Sequence, residues 1–321
     1  MKEVILHVGM HKTGTSSIQE RLASFDDGTT RYAQFGVPNH SIPMTTIFSS
    51  NPYAYHIWRD QGLTAAAVDQ QRQAYLSVLE HELASRRHER LIISGEDIGS
   101  LKEDEKNRLI EYFHGHGVHL KIVYFIRDPL GLTASLIQQN IRGGLSKLTP
   151  ITLDYRFGIL PFLRRLPRDQ LVVRDYRTEL DAHDDIVEAF ARICEIDISR
   201  LPAKRANESL SLAASKLLLR FNRLPVNSFG ESERVRARQQ LISTIARLFP
   251  REHKTEVAGG IVAGLICMSQ DDVDFLRETF GITYDLISGG ADLAQCQALF
   301  DDLASIDLAP LQHTFPKWHA V

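Results

Sequence analysis

Cysteine is scarce and unpatterned. Cys194, Cys267 and Cys296 are an odd, widely spaced set of three. They exclude a disulfide framework and a cysteine-bound metal site, and they point to a reducing compartment. Long apolar runs are missing too. The stretch Gly259 to Met268 is short and broken by glycines, well below the roughly 20 apolar residues that a membrane span requires. Met1-Lys2-Glu3 opens directly into a strand-like segment with no signal-peptide core, so a cytoplasmic location is expected. Charge of one sign is absent as well. A net charge of -3 over 321 residues gives no support for nucleic-acid binding. Repeats, low-complexity stretches and clear linkers are not found. What remains, at 43% apolar and 24% charged, is the composition of an ordinary globular protein.

The informative stretch is Val4 to Gln19, VILHVGMHKTGTSSIQ. Val4-Ile5-Leu6 reads as a short buried parallel strand. Gly9 begins a turn, and Gly14-Thr15-Ser16-Ser17 leads into a helical pattern through Ile18 and Leu22. A strand, a glycine-bounded loop and a helix N-terminus make an anion cradle, with backbone N–H groups and the helix dipole converging on one point. Phosphate or its analogue is the expected guest. The nucleotide-binding pattern G-x-x-x-x-G-K-[ST] fits at Gly9, Gly14 and Ser16, but Thr15 stands where lysine belongs. Lys12, on the other side of Gly14, is the loop's one lysine. An ordinary βα turn accounts for the glycines, yet not for a lysine among three hydroxyl residues.

Along the chain, Asp26-Asp27-Gly28 is a turn and Tyr32 to Val37 a short extended piece. Ser41 to Gly62 reads as a long irregular loop suited to covering a site. Thr64 to Arg87 has an amphipathic helical pattern with Val68, Tyr75, Leu76, Leu79 and Leu83 on one face. Leu91 to Ser94 is the next buried strand and ends in Gly95-Glu96-Asp97, where ligands of α/β sheets are met. After a helix at Glu103 to His114, the strand Leu120 to Ile126 runs into Arg127-Asp128-Pro129. Arg127 at the strand end and Ser135 two turns into the following helix can point to one site, and a guanidinium fork with a hydroxyl suits a phosphomonoester. Asn140 to Thr149 reads as a mobile loop, and Leu171 to Tyr176 as a further strand. A helix over Asp184 to Cys194 is capped by Asp184 or Asp185, with Cys194 packed on its apolar face. From Arg205 onward helices dominate: one around Leu217 to Phe221 with Ser209 or Ser211 as N-cap, then Ser232 to Phe249, Ser269 to Phe280 before Gly281, and Ala291 to Leu303.

His11-Lys12-Thr13-Gly14-Thr15-Ser16 closely resembles the 5′-phosphosulfate-binding loop of sulfotransferases that use 3′-phosphoadenosine-5′-phosphosulfate (PAPS). The form H-x-G-x-H-K-T-G-T-[ST]-S is similar to that of bacterial members acting on carbohydrate or lipid-linked acceptors. Arg127-Asp128-Pro129 with Ser135 resembles the family's second signature, R-D-P-x(5)-S. The resemblance covers roughly Met1 to Tyr176 and, more weakly, the C-terminal helices, including Asp272 to Tyr284. The R-K-G-x-x-G-x-W-K element of cytosolic members is absent, which points away from steroid and phenol enzymes, and no N-terminal anchor like that of Golgi members is expected.

The resemblance implies an α/β fold, a P-loop-type parallel sheet flanked by helices, with a helical C-terminal part. Residues 1–321 are expected to form one domain, with a core over about 1–200 and a helical extension over about 205–321. It implies that His11, Lys12, Thr13, Gly14, Thr15, Ser16 and Ser17 hold the 5′-phosphosulfate, and that Arg127 and Ser135 hold the 3′-phosphate. Lys12 would stabilise charge on the leaving phosphate, with PAP as product and no metal required. A base should take the proton of a hydroxyl or amine acceptor on a glycan, glycolipid or other metabolite. Glu96, buried and with a raised pKa, is the expected base, with His11, His40 and His56 as substitutes. Two alternatives stand beside this: a small-molecule kinase using ATP and magnesium, and a nucleotide-binding module without turnover. The acceptor and the oligomeric state are not legible.

Overall fold

Four apolar runs set the sheet. The computed structural model describes residues 1–183, 185–202, 210–224, 231–250, 259–287 and 293–314. In it the strands are β1 Glu3–His7, β2 Thr30–Tyr32, β3 Arg90–Ser94, β4 His119–Ile126, β5 Ile151–Thr152, β6 Leu171–Asp175 and β7 Ile266–Cys267. The helices of the first half are α1 Thr15–Leu22, α2 Ser41–Phe48, α3 His56–Asp60, α4 Ala65–Leu83, α5 Glu103–Gly115, α6 Pro129–Gly143 and α7 Tyr155–Arg165. Those of the second half are α8 Tyr176–Ala182, α9 Ile186–Ile193, α10 Leu212–Asn222, α11 Glu231–Leu248, α12 Gly259–Gly264, α13 Gln270–Phe280, α14 Leu293–Asp301 and α15 Ala309–Thr314.

The chain divides into two compact units. The first takes Met1–Asp128, Asp154–Arg205 and Asp274–Thr283; the second takes Pro129–Leu153, Ala206–Val273 and Tyr284–Val321. In the first unit five parallel strands pair in the order β2-β3-β1-β4-β6. Ile5, Ile92, Ile122 and Phe125 are fully buried or nearly so, which is why these strands read as continuous apolar runs rather than alternating ones. The crossover from β1 heads toward β2 and β3, whereas β4 hands on to β6. The carboxyl ends of β1 and β4 therefore flank the point where the winding reverses, the usual place for a ligand in an open α/β sheet. In the second unit α6, α10, α11 and α14 enclose an apolar cluster that includes Ile137, Ile141, Leu217, Phe221, Leu241, Ile245 and Phe300. The short parallel pair β5–β7 belongs to the same unit.

Several expectations need correction. Ser41 to Gly62 is not irregular: α2, a 3-10 turn at Pro52–Ala54 and α3 occupy most of it. In α2 seven of eight residues are buried, so it presents no polar face and no 3.6-residue rhythm by which to be recognised. The extended piece is β2, which ends at Tyr32 and so barely overlaps the expected span. Asn140 to Gly143 completes α6 instead of opening a loop, and Leu148 beyond it is buried with its N–H on Gln297 Oε1 at 2.9 Å. Helix α7 runs through Gly158 and Pro161, two residues that argue against a helix. Ser211 caps α10 by accepting from Ala214 N at 3.1 Å, and Asp185 caps α9. Asp184 and the segment from Arg205 to Ser209 lie outside the described residues. Cys194 is fully buried, and burial pushes its thiol well up, as a packing residue requires. No described helix is long and apolar enough to cross a membrane.

Candidate functional site

The loop after β1 is shaped by two left-handed residues. Val8 N and Met10 N continue the ladder onto β4 by donating to Val123 O and Phe125 O at 3.0 and 2.9 Å. Lys12 then takes φ 68° and Gly14 φ 78°. Left-handed backbone interspersed in a tight loop turns successive N–H groups inward, the arrangement called a nest. Glycine adopts it without strain, but lysine does not. Thr13 is buried and its hydroxyl donates to Met10 O at 2.6 Å, closing the loop from within. Gly9 and Gly14 are required by contact as well. A Cβ on Gly9 would lie 2.9 Å from His7 Nε2, and one on Gly14 would lie 2.5 Å from Ile186 Cγ2.

Gly14 is also the N-cap of α1 and offers no side-chain cap, so the start of the helix faces the loop with backbone donors. Thr15 is buried, and its Oγ1 has no hydrogen-bond partner among the described residues. A buried hydroxyl without a partner loses its hydration for nothing in return, about 1–3 kcal/mol. Such an atom beside an anion nest is what a ligand oxygen would satisfy. Ser16 is exposed and Ser17 half-buried.

Arg127 leaves the end of β4 and reaches this loop. Its Nη1 donates to Lys12 O at 2.8 Å, and its guanidinium lies 5.3 Å from the centre of the Tyr176 ring. The backbone is held too, since Tyr155 Oη donates to Arg127 O at 2.8 Å. Tyr176 also borders the loop, with its Cε2 3.6 Å from a Cβ built on Gly14. Ser135 occupies the second turn of α6, half-buried, and belongs to the second unit.

The end of β3 supplies acidic groups to the same edge. Glu96 is half-buried rather than buried; its Oε2 accepts from Gln19 Nε2 at 3.0 Å and from Ser41 Oγ at 3.5 Å. Asp97 accepts from Tyr55 Oη at 2.6 Å and pairs with His11 Nε2 at 3.2 Å. Burial works against the Asp97 carboxylate, but the hydrogen bonds from His11 and Tyr55 outweigh it and hold the group below its ordinary range. Gly95 makes this corner possible, since a Cβ there would sit 2.3 Å from Ser41 N.

The histidines sort by burial. His40 is fully buried, stacks on Tyr32 at 4.3 Å and accepts from Ser94 N with Nδ1. Desolvation lowers its pKa to about 3, so it is a core residue and no base for a solvent-borne substrate. His56 is exposed at the start of α3, near enough to bear on the charge of Asp97. His7, the first position of the loop pattern, is fully buried beneath Gly9, bonded through Nδ1 to Ser94 Oγ at 2.8 Å and edge-on to Phe125. Burial lowers it to about 3 as well. Tyr55, Tyr176 and Gln19 escaped sequence reading, because each acts only through a residue distant in the chain.

Among the described residues no group of three or more His, Cys, Asp or Glu side chains is arranged to hold a metal ion. No family model, curated protein or solved structure matches the chain.

Proposed function

We propose that the chain is a sulfotransferase that moves a sulfuryl group from PAPS to a hydroxyl or amine of a glycan, glycolipid or other metabolite. One observation carries the reading: Arg127 Nη1 on Lys12 O joins the two motifs, 115 residues apart, at the carboxyl ends of β1 and β4. The nest at Lys12 and Gly14, the uncapped start of α1 and the unpartnered Thr15 hydroxyl suit a phosphosulfate. When bound, the donor would supply an activated sulfuryl group on a phosphate leaving group.

The roles then follow from charge. Lys12 and the loop N–H groups stabilise negative charge as it builds on the leaving phosphate. Arg127 takes the 3′-phosphate, and the acceptor's proton goes to a base at the His11–Glu96–Asp97 edge. Thr15, at the position where a triphosphatase needs lysine, is buried, which weighs against ATP chemistry at this loop.

Calorimetric titration tests the reading, with PAP beside ATP and magnesium, on the wild type and Arg127→Ala. Selective binding of PAP, weakened at least tenfold in the variant, is expected from the loss of hydrogen bonds to a charged group. Preference for ATP with magnesium would favour the kinase alternative, and binding of neither would end the nucleotide reading.

A further inference from the structure

Two carboxylates leave β3 side by side, and their partners differ in kind. Glu96 is occupied by an amide and a hydroxyl, Gln19 and Ser41. Asp97 instead faces an ionisable ring, His11, with Tyr55 on its other oxygen. His11 directly precedes Lys12, the residue proposed to meet the leaving phosphate, and 43% of its side chain is exposed. Asp97 is only 19% exposed. A half-buried carboxylate beside Nε2 of a half-exposed imidazole leaves the other nitrogen, Nδ1, unengaged by Asp97. Nδ1 has no protein partner among the described residues. With the Asp97 carboxylate 3.2 Å from Nε2, the neutral ring is favoured with its proton on Nε2 and its lone pair on Nδ1.

We propose that His11, oriented by Asp97, is the base that takes the acceptor's proton, and that Glu96 is a positioning residue. The proposal rests on the sulfotransferase reading above. In the step it describes, the acceptor oxygen forms a bond to sulfur as the bond from sulfur to the donor's phosphate oxygen breaks. The electron pair of that bond leaves on the phosphate. The hydroxyl proton passes to His11 Nδ1, and the imidazolium so formed is stabilised by Asp97 until Nδ1 returns the proton to water.

The charges around the ring favour this. Hydrogen bonding to Asp97 raises His11 above its ordinary value, with burial opposing. Glu96 adds to the rise, and Lys12 on the same loop subtracts from it. Tyr55 and His56 act on Asp97 from the segment leading into α3. The Asp97 contact thus makes the His11 ring a stronger proton acceptor than a free imidazole, with burial working against it.

PAPS hydrolysis tests this without an identified acceptor, because water stands in for the hydroxyl. PAP release is followed from about pH 5 to about pH 9 for wild type, His11→Gln, Asp97→Asn and Glu96→Gln, and PAP affinity is measured for each. In parallel the His11 ring is titrated by NMR with no ligand present. His11→Gln should lose on the order of 10²-fold in rate at saturating PAPS, where any change in donor affinity is removed from the comparison. Asp97→Asn should move the kinetic midpoint and the NMR midpoint of His11 to lower pH together. Wild-type rate in His11→Gln overturns the proposal, as does a kinetic midpoint that does not follow the NMR midpoint. A wild type that binds PAP but releases none from PAPS at any pH overturns it too. Loss of rate in Glu96→Gln with none in His11→Gln returns the proton to Glu96. Failure of the wild type to bind PAP is a different result and sinks the sulfotransferase reading itself.

Discussion

Replacing Gly14 by alanine separates two costs that the structure predicts at one atom. The first is backbone: Gly14 has φ 78°, and a Cβ in that region costs about 1–2 kcal/mol. The second is steric: the new Cβ lies 2.5 Å from Ile186 Cγ2, and overpacking of this kind costs about 1–3 kcal/mol. Gly117 supplies the control. Its φ is 68°, and among the described residues, its chain neighbours aside, nothing lies within 4 Å of its Cβ position, so Gly117→Ala should show the backbone term alone. Urea unfolding of the two variants should therefore differ by about 1–3 kcal/mol, with Gly14→Ala the weaker. Adding Ile186→Ala to Gly14→Ala should recover part of the difference as a favourable coupling energy. Equal destabilisation of the two glycine variants, with no coupling to Ile186, would refute the close packing of α9 against the loop.

Thr15→Val should leave the ligand-free protein as stable as wild type or stabilise it, because it removes a buried hydroxyl that has no partner. The same change should weaken PAP binding; an unfolding curve shifted to lower urea would mean that Oγ1 has a partner after all. His7 and His40 are held neutral, each lowered to about 3 by burial, while the unfolded chain binds protons near 6.5. Their contribution is therefore complete above about pH 6.5 and is lost as pH falls toward about 3, each by up to about 1.4 kcal/mol per pH unit. Unfolding free energies from pH 7 to pH 5 read the slope, and either imidazole titrating near 6.5 by NMR would contradict its burial.

The sheet was legible because burial on both faces writes itself into sequence. Val4 to Leu6, Leu91 to Ile93 and Leu120 to Ile126 are apolar runs bounded by turns, and each is a strand of the first unit. Gly14 was legible for a similar reason, since few side chains fit its left-handed backbone. Lys12 at φ 68° was not, because lysine has no preference for that region and takes it only under tertiary constraint. Helix α2 failed in the opposite way, as eight residues buried nearly all round carry no rhythm. Which histidines are core and which face solvent was closed to sequence as well. His7, His11 and His40 differ by what packs on them, Phe125 and Phe190, Asp97, and Tyr32 and Phe35 respectively.

The strain at Lys12 gives Arg127 a second task that the motif does not announce. A left-handed lysine costs about 1–2 kcal/mol, and a hydrogen bond from a charged donor contributes about 1.5–3 kcal/mol. The bond from Arg127 Nη1 to Lys12 O is therefore of the size needed to hold the loop in its cradle form. Under the proposed function, the residue assigned to one end of the donor also shapes the pocket for the other end. Adenosine 5′-phosphosulfate, which lacks the 3′-phosphate, tells the two tasks apart. If Arg127 only met the 3′-phosphate, Arg127→Ala would bind this shorter ligand as wild type does. If it also holds Lys12, calorimetry should show the shorter ligand weakened several-fold, and PAP weakened further by the added loss of the phosphate contact. Arg127→Lys should rescue neither fully, since an ammonium on a flexible stem cannot reproduce a planar fork that bonds the carbonyl while stacking on Tyr176. An unchanged affinity for the shorter ligand in Arg127→Ala would reduce the Lys12 contact to a packing detail.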